Sequence, residues 1–110
     1  KEVEKADDAV ARLHEAIKLY LVKASKAEMS DDESRRFVEI LTFTTNLEHI
    51  GDIIDKNLME LAAKKIRKQA SFSPEGIEEI RAFHAHLEDA MRLALNVFAT
   101  RDLALARRLY

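Results

Sequence analysis

Residues 30–68 read SDDESRRFVEILTFTTNLEHIGDIIDKNLMELAAKKIRK, and the fold is decided by how this stretch is read. Phe37, Ile40, Leu41, Thr44, Leu47, Gly51, Ile54, Leu58, Leu61 and Ala62 recur at helical spacing, flanked by Phe43, Ile50 and Ile53, which is the pattern of one long amphipathic helix. Ser30 followed by Glu33 is a capping box: the hydroxyl accepts an orphan N–H and the carboxylate reaches back to the cap. The run Lys64-Lys65-Ile66-Arg67-Lys68 suits a helix C-terminus, where the dipole favours cations. The spacing therefore predicts a second helix over about 31–69, on the order of 60 Å long at about 1.5 Å per residue. Such a length needs packing partners along its side.

On the N-terminal side, Val3, Ala6, Val10, Leu13, Ile17, Tyr20, Ala24 and Ala27 form a stripe that predicts helix 1 over about 2–27. On the C-terminal side, Ser73-Pro74-Glu75 supplies a cap, a proline at the first helical position and an early carboxylate. Ile77, Ile80, Phe83, His84, Leu87, Met91, Ala94, Leu95 and Phe98 carry helix 3 onward, read as continuing to about residue 109, with His84 a core residue. Short connections near 28–30 and 70–73 make neighbours antiparallel, as in up-and-down bundles. The register then follows: positions summing to about 58 face each other across the first turn, and to about 144 across the second. Asp7 and Asp8 face the level of Glu48 to Asp52, which in turn faces Arg92 and Asn96.

Bulk composition agrees with this reading. Of 110 residues, 47% are hydrophobic and 35% charged, with 2 Gly and 1 Pro, so disorder and turn-rich β folds are excluded and an all-α antiparallel bundle of three long helices in one domain is expected. The net charge of −2, from 18 basic and 20 acidic residues, provides no field for nucleic-acid phosphates. Without cysteine, disulfides and thiolate metal sites are excluded. No stretch reaches the roughly 20 apolar residues of a membrane span. The chain begins at Lys1 without methionine and stops within an apolar-periodic segment, so it is expected to be a piece of a longer polypeptide.

Chemistry concentrates in an acidic belt. Glu48 and Asp52 lie four apart on one helix face, Asp55 continues that edge, and Asp7, Asp8 and Glu4 reach the same level from helix 1. Converging carboxylates repel and stay ionised only with a cation, an ion-pair partner or water. One reading is a site for iron, zinc, manganese or another divalent cation, with His49 an accessory ligand. The other is pairing with local cations, Arg92 opposite Asp52 and Lys56 four residues beyond it. A ferritin-like di-iron centre is excluded, because Ala11, Asn46, Arg81 and Phe83 stand three residues before the four histidines where such sites place glutamate. No nucleophile–base set or Gly-rich phosphate loop occurs, and no enzyme activity is expected. Gly51, mid-helix between the acids, costs about 1 kcal/mol relative to alanine and implies a close approach or a kink.

Asn46-Leu47-Glu48-His49-Ile50-Gly51-Asp52 resembles the Asn/Asp-Leu-Glu-Arg-Ile-Gly-Asp signature in the long helix of PhoU-type domains. Ala16-Ile17-Lys18-Leu19-Tyr20-Leu21, Gly51-Asp52-Ile53-Ile54-Asp55, Phe72-Ser73-Pro74-Glu75-Gly76 and Val97-Phe98-Ala99-Thr100-Arg101-Asp102 are similar to the subtype at the C-terminal end of Na⁺/phosphate cotransporter family proteins. That resemblance covers essentially the whole chain. It implies a regulatory bundle on the cytoplasmic side of the cell membrane, with a transmembrane phosphate transporter domain upstream in the same polypeptide. It also implies multinuclear iron or other cations held by Glu/Asp-x-x-x-Asp motifs, which Glu48 and Asp52 match. Helix 1 departs from the pattern: Asp7 aligns, but Ala11 stands four residues later and His14 at a commonly acidic site, with Glu4 and Asp8 forming an offset version. Two other readings remain: a stand-alone PhoU-like metal-binding regulator acting with phosphate-regulon proteins, and a bundle that serves only oligomerisation, with a homodimer along Phe43, Ile50 and Ile53.

Overall fold

Ser30 Oγ accepts the Glu33 N–H at 3.2 Å, and a Glu33 carboxylate oxygen accepts the Ser30 N–H at 2.8 Å. The expected capping box thus closes at the head of a helix over Asp31–Asp52 (α2). The computed structural model describes residues Lys1–Tyr110, and its elements are all helices, as the all-α reading requires. No helix is long and apolar enough to cross a membrane.

Before α2 stands α1, Glu2–Ala24, which ends three residues short of the expected boundary as Ser25 donates from Oγ to the Val22 carbonyl at 2.7 Å. After α2 the rod changes pitch rather than stopping. Ile53–Leu58 forms a π-helical segment in which the Met59 N–H reaches five residues back to the Ile54 carbonyl, and Met59–Arg67 (α3) then resumes the α-helix. The single α-helix expected over 31–69 is thus two α-helices joined by a wider turn. Gln69, at φ 52, ends it in the left-handed region.

Ser73 Oγ accepts the Gly76 N–H at 3.0 Å with Pro74 in the first turn, starting α4, Pro74–Thr100. The helix expected to run unbroken to 109 stops here. Arg101 adopts φ 58, and Asp102 Oδ1 accepts the N–H groups of Ala104 at 2.8 Å and Leu105 at 3.2 Å, capping a separate helix over Leu103–Leu109 (α5). Asp102 serves as an N-cap, and its carboxylate competes for the very N–H groups that a continuing helix would use.

The chain falls into two compact units, Lys1–Gln69 and Ala70–Tyr110. In the first, α1 and α2 run antiparallel with the expected register: His14 Nε2 and Thr45 Oγ1 are 3.2 Å apart and the Asp7 carboxylate lies over Gly51, each pair summing to within one of 58. The packed seam of α1 runs through Val3, Asp7, Val10, His14, Ile17, Leu21 and Ala24, alternating steps of four and three as in a coiled coil. This corrects the expected stripe, because Leu13 and Tyr20 are 64% and 72% exposed while Leu21 is 6% exposed. The seam is graded. Near the turn it is apolar, with Ile17 and Leu21 at the level of Leu41 and Phe37; away from the turn it is polar, with His14 at Thr45 and Asp7 at Gly51.

Candidate functional site

The polar end of this seam places Asp7 of α1 against the last turn of α2. A Cβ built on Gly51 would stand 2.7 Å from Asp7 Oδ1 and 3.9 Å from Val10 Cγ1. Only a residue without a side chain allows that carboxylate to lie against the α2 backbone, so the mid-helix glycine has a close approach as its reason. Beyond Gly51, Asp52 Oδ1 accepts from Lys56 Nζ at 3.1 Å, with side chains 34% and 68% exposed respectively. Lys56 belongs to the π-helical segment, so the cation is supplied by the wide turn that follows the acids.

Electrostatics follow from this arrangement. Partial burial, then the charges of Asp52 and Asp55, push the Asp7 carboxyl above its ordinary value, and Asp7 shares a side-chain hydrogen bond with Asp52. Asp52 moves the other way, held below the carboxylate range mainly by the hydrogen bond from Lys56 and further by those involving Glu48 and Asp7. Lys56 is raised by the Asp52 hydrogen bond and charge. Two carboxylates of opposite tendency side by side describe a pair in which Asp7 is the first to be protonated as pH falls and Asp52 the last.

A pH profile tests this. Asp52, depressed in the folded chain, contributes stability above the ordinary carboxylate value of about 3.9 that fades as pH falls through its lower folded value. Lys56, raised, contributes stability below about 10.4 that is lost as pH rises through its higher folded value. Asp7, raised, contributes in the opposite sense to Asp52 and is least favourable once ionised. The melting-temperature gap between wild type and Lys56→Gln is therefore expected to be widest between about pH 5 and 9 and to close at both extremes. A gap that keeps the same width at both pH extremes would show that Lys56 acts only through its hydrocarbon stem.

Of the residues expected to form the belt, Asp7, Glu48 and Asp52 come together with Asp55 beside them, and all four are half-buried. Glu4 and Asp8 are exposed. No three histidine, aspartate or glutamate side chains surround a common point at which a metal ion would sit. The donor set as arranged does not fit a divalent ion: hard cations take several oxygens, and the Asp52 oxygen that would bind one already holds an ammonium. His14 is turned to Thr45, and His49 is exposed. Arg92, expected opposite Asp52, pairs within α4 with Glu88 at 3.4 Å and Asp89 at 3.7 Å. His84 is not a core residue; its side chain is exposed and meets Glu88 at 3.2 Å.

The Asp52–Lys56 pairing weighed from the sequence is found; what sequence reasoning overlooked is that Asp7 and His14 are seam positions of α1. The repeat 3-7-10-14-17-21-24 could have found them had polar residues been allowed into the stripe.

Comparison with known families matches residues 1–70 to the PhoU domain. Over 109 residues, 99% of this chain, the sequence is 38% identical to a protein of Escherichia coli (strain K12) named "Putative inorganic phosphate export protein YjbB". It is 40% identical over the same length to the protein of that name from Salmonella typhimurium. Each alignment takes in 20% of the relative, so the chain spans about a fifth of the length of the curated relatives it matches. No solved structure matches.

Proposed function

Because this chain belongs to the PhoU domain family, we propose that it is a regulatory or interaction module of a membrane protein that moves inorganic phosphate. The observation that carries this reading is the extent of the similarity. It does not stop at residue 70 with the family match but covers 109 residues, so α4 and α5 belong to the same shared segment in relatives whose name refers to phosphate export. That name favours phosphate transport as the process and leaves out the sodium coupling expected from the sequence. The module would act on the cytoplasmic side of the membrane, through contact with the transporting part rather than by chemistry of its own.

The test is a replacement in the Escherichia coli relative. Its matching segment is deleted or exchanged for residues 1–110 of this chain, and release of radiolabelled phosphate from loaded cells is followed at low and high internal phosphate. Deletion is expected to abolish the dependence of release on internal phosphate, and the exchange to restore it. Release that is unchanged by deletion at every phosphate level would leave the module without a regulatory role.

A further inference from the structure

We infer that the end of α3 is a docking point for an anionic lipid surface, with Lys64, Lys65, Arg67 and Lys68 meeting the headgroups and Ile66 entering the interface between them. The inference rests on the proposed placement of this module beside a membrane and names the surface that it touches there.

The charge pattern carries it. Four of the five residues from Lys64 to Lys68 are cationic, and no acid stands between Glu60 and Glu75. The helix dipole accounts for little of this, since a helix C-terminus presents about half a negative charge. Elsewhere cations are matched along their own helix, Arg36 with Glu39 at 3.1 Å and Arg81 with Glu78 at 2.7 Å; here only Glu60, four residues before Lys64, has such a spacing. Apart from these four cations the chain holds 14 basic against 20 acidic residues, a net charge of −6. The positive charge is therefore local to one helix end, which suits a surface touched at a point and not a nucleic acid wrapped along the chain.

Placement makes the cluster reachable. α1 begins at Glu2, level with residue 56 in the antiparallel register, so α3 projects past its neighbour, and within its own unit it packs only on the π-helical segment before it. Lys64, Arg67 and Lys68 are exposed, Ile66 is 75% exposed and Leu61 59%. Successive residues step about 100° around a helix, so residues 64–68 encircle the last turn and present it end-on. An acidic protein surface would answer the cations alone. An anionic bilayer answers both sets, its headgroups taking the charges and its acyl boundary the apolar side chains. Asp52 and Asp55 stand on the order of 15 Å back along the rod at about 1.5 Å per residue, beyond the Debye length of about 8 Å at physiological salt, so the acidic seam does not cancel the attraction.

The experiment sediments residues 1–110 with vesicles of phosphatidylcholine alone or with about 30% phosphatidylglycerol, an anionic lipid. Binding is expected to the anionic vesicles only and to disappear when salt is raised to about 0.5 M. Each cation at such a surface is worth about a factor of five, so Lys64→Gln with Lys68→Gln should weaken binding roughly 25-fold, whereas Lys64→Arg with Lys68→Arg keeps it. Both pairs change exposed side chains, and circular dichroism checks that the helices are retained. A polarity-sensitive dye on Ile66→Cys, in a chain otherwise free of cysteine, should shift to the blue on the anionic vesicles. Equal binding to both kinds of vesicle, binding that the glutamine pair leaves unchanged, or a dye that does not shift would overturn the inference. So would retention by polyglutamate without binding to vesicles, which would assign the helix end to an acidic protein. These vesicles hold no transporter, so a failure here leaves the regulatory role to its own phosphate-release test, and a failure there leaves this binding standing.

Discussion

Leu21→Ala is expected to lower the stability of the Lys1–Gln69 unit by about 3 kcal/mol, within the roughly 2–5 kcal/mol range for leucine truncation at packed sites. Leu21 is the one buried hydrophobic side chain, at 6% exposure, and it sits at the apolar end of the seam one layer from the turn. Truncation removes methyl groups that the surrounding backbone cannot follow, because the layer is pinned by the capping box at Ser30. Leu13→Ala is the matched control: Leu13 is 64% exposed, and its replacement should stay within about 0.5 kcal/mol. Urea denaturation followed by helical circular dichroism compares the two. Equal losses would place the packed face of α1 through Leu13 and Tyr20, as simple hydrophobic periodicity reads it, and the seam through Asp7, His14 and Leu21 would be wrong.

The second large effect is expected at Gly51 and depends on which residue replaces it. Alanine regains about 1 kcal/mol of helix propensity but puts a Cβ 2.7 Å from Asp7 Oδ1, so the carboxylate must swing away; the two effects offset and Gly51→Ala should be near neutral. Gly51→Leu extends into the space where α1 lies, with Val10 Cγ1 already 3.9 Å from the Cβ position, and overpacking of this kind costs about 1–3 kcal/mol. A double-mutant cycle isolates the contact. In an Asp7→Ala background the clash is gone, and Gly51→Ala should become stabilising by about 1 kcal/mol. If Gly51→Ala has the same effect with and without Asp7, the carboxylate does not rest on the glycine.

Much of the local structure was legible because it depends on neighbours in sequence. Ser30 with Glu33, and Ser73 with Pro74, announce helix starts by chemistry confined to four residues, and both caps are found where expected. The α1–α2 register was legible as well, since a short turn leaves antiparallel helices one way to align. The polar seam was not, for a physical reason. Counting apolar residues assigns a helix face by hydrophobicity, whereas Asp7 and His14 are seated by partners on another helix, Gly51, Asp52 and Thr45, which no window along one helix contains. The break at Arg101 was missed because Thr100-Arg101-Asp102 is compatible with helix; only the capture of two N–H groups by Asp102 stops it. The motif Glu48-x-x-x-Asp52 was visible, and so was the cation one turn further on, Lys56, because an i,i+4 pair lies within one helix window.

The wide turn at Ile53–Leu58 has a consequence of another kind. An α-helix is a screw in which residue count and angle advance together, and a turn whose hydrogen bond spans five residues, as from Met59 to Ile54, breaks that proportion. One extra residue is absorbed, equivalent to roughly 100° of rotation at 3.6 residues per turn, so numbering and direction are out of phase beyond it. Leu61 and Ile66 therefore cannot be placed by counting on from Leu47, and the thread that carries Asp52 and Lys56 is the last whose facing can be read from the spacing of α2.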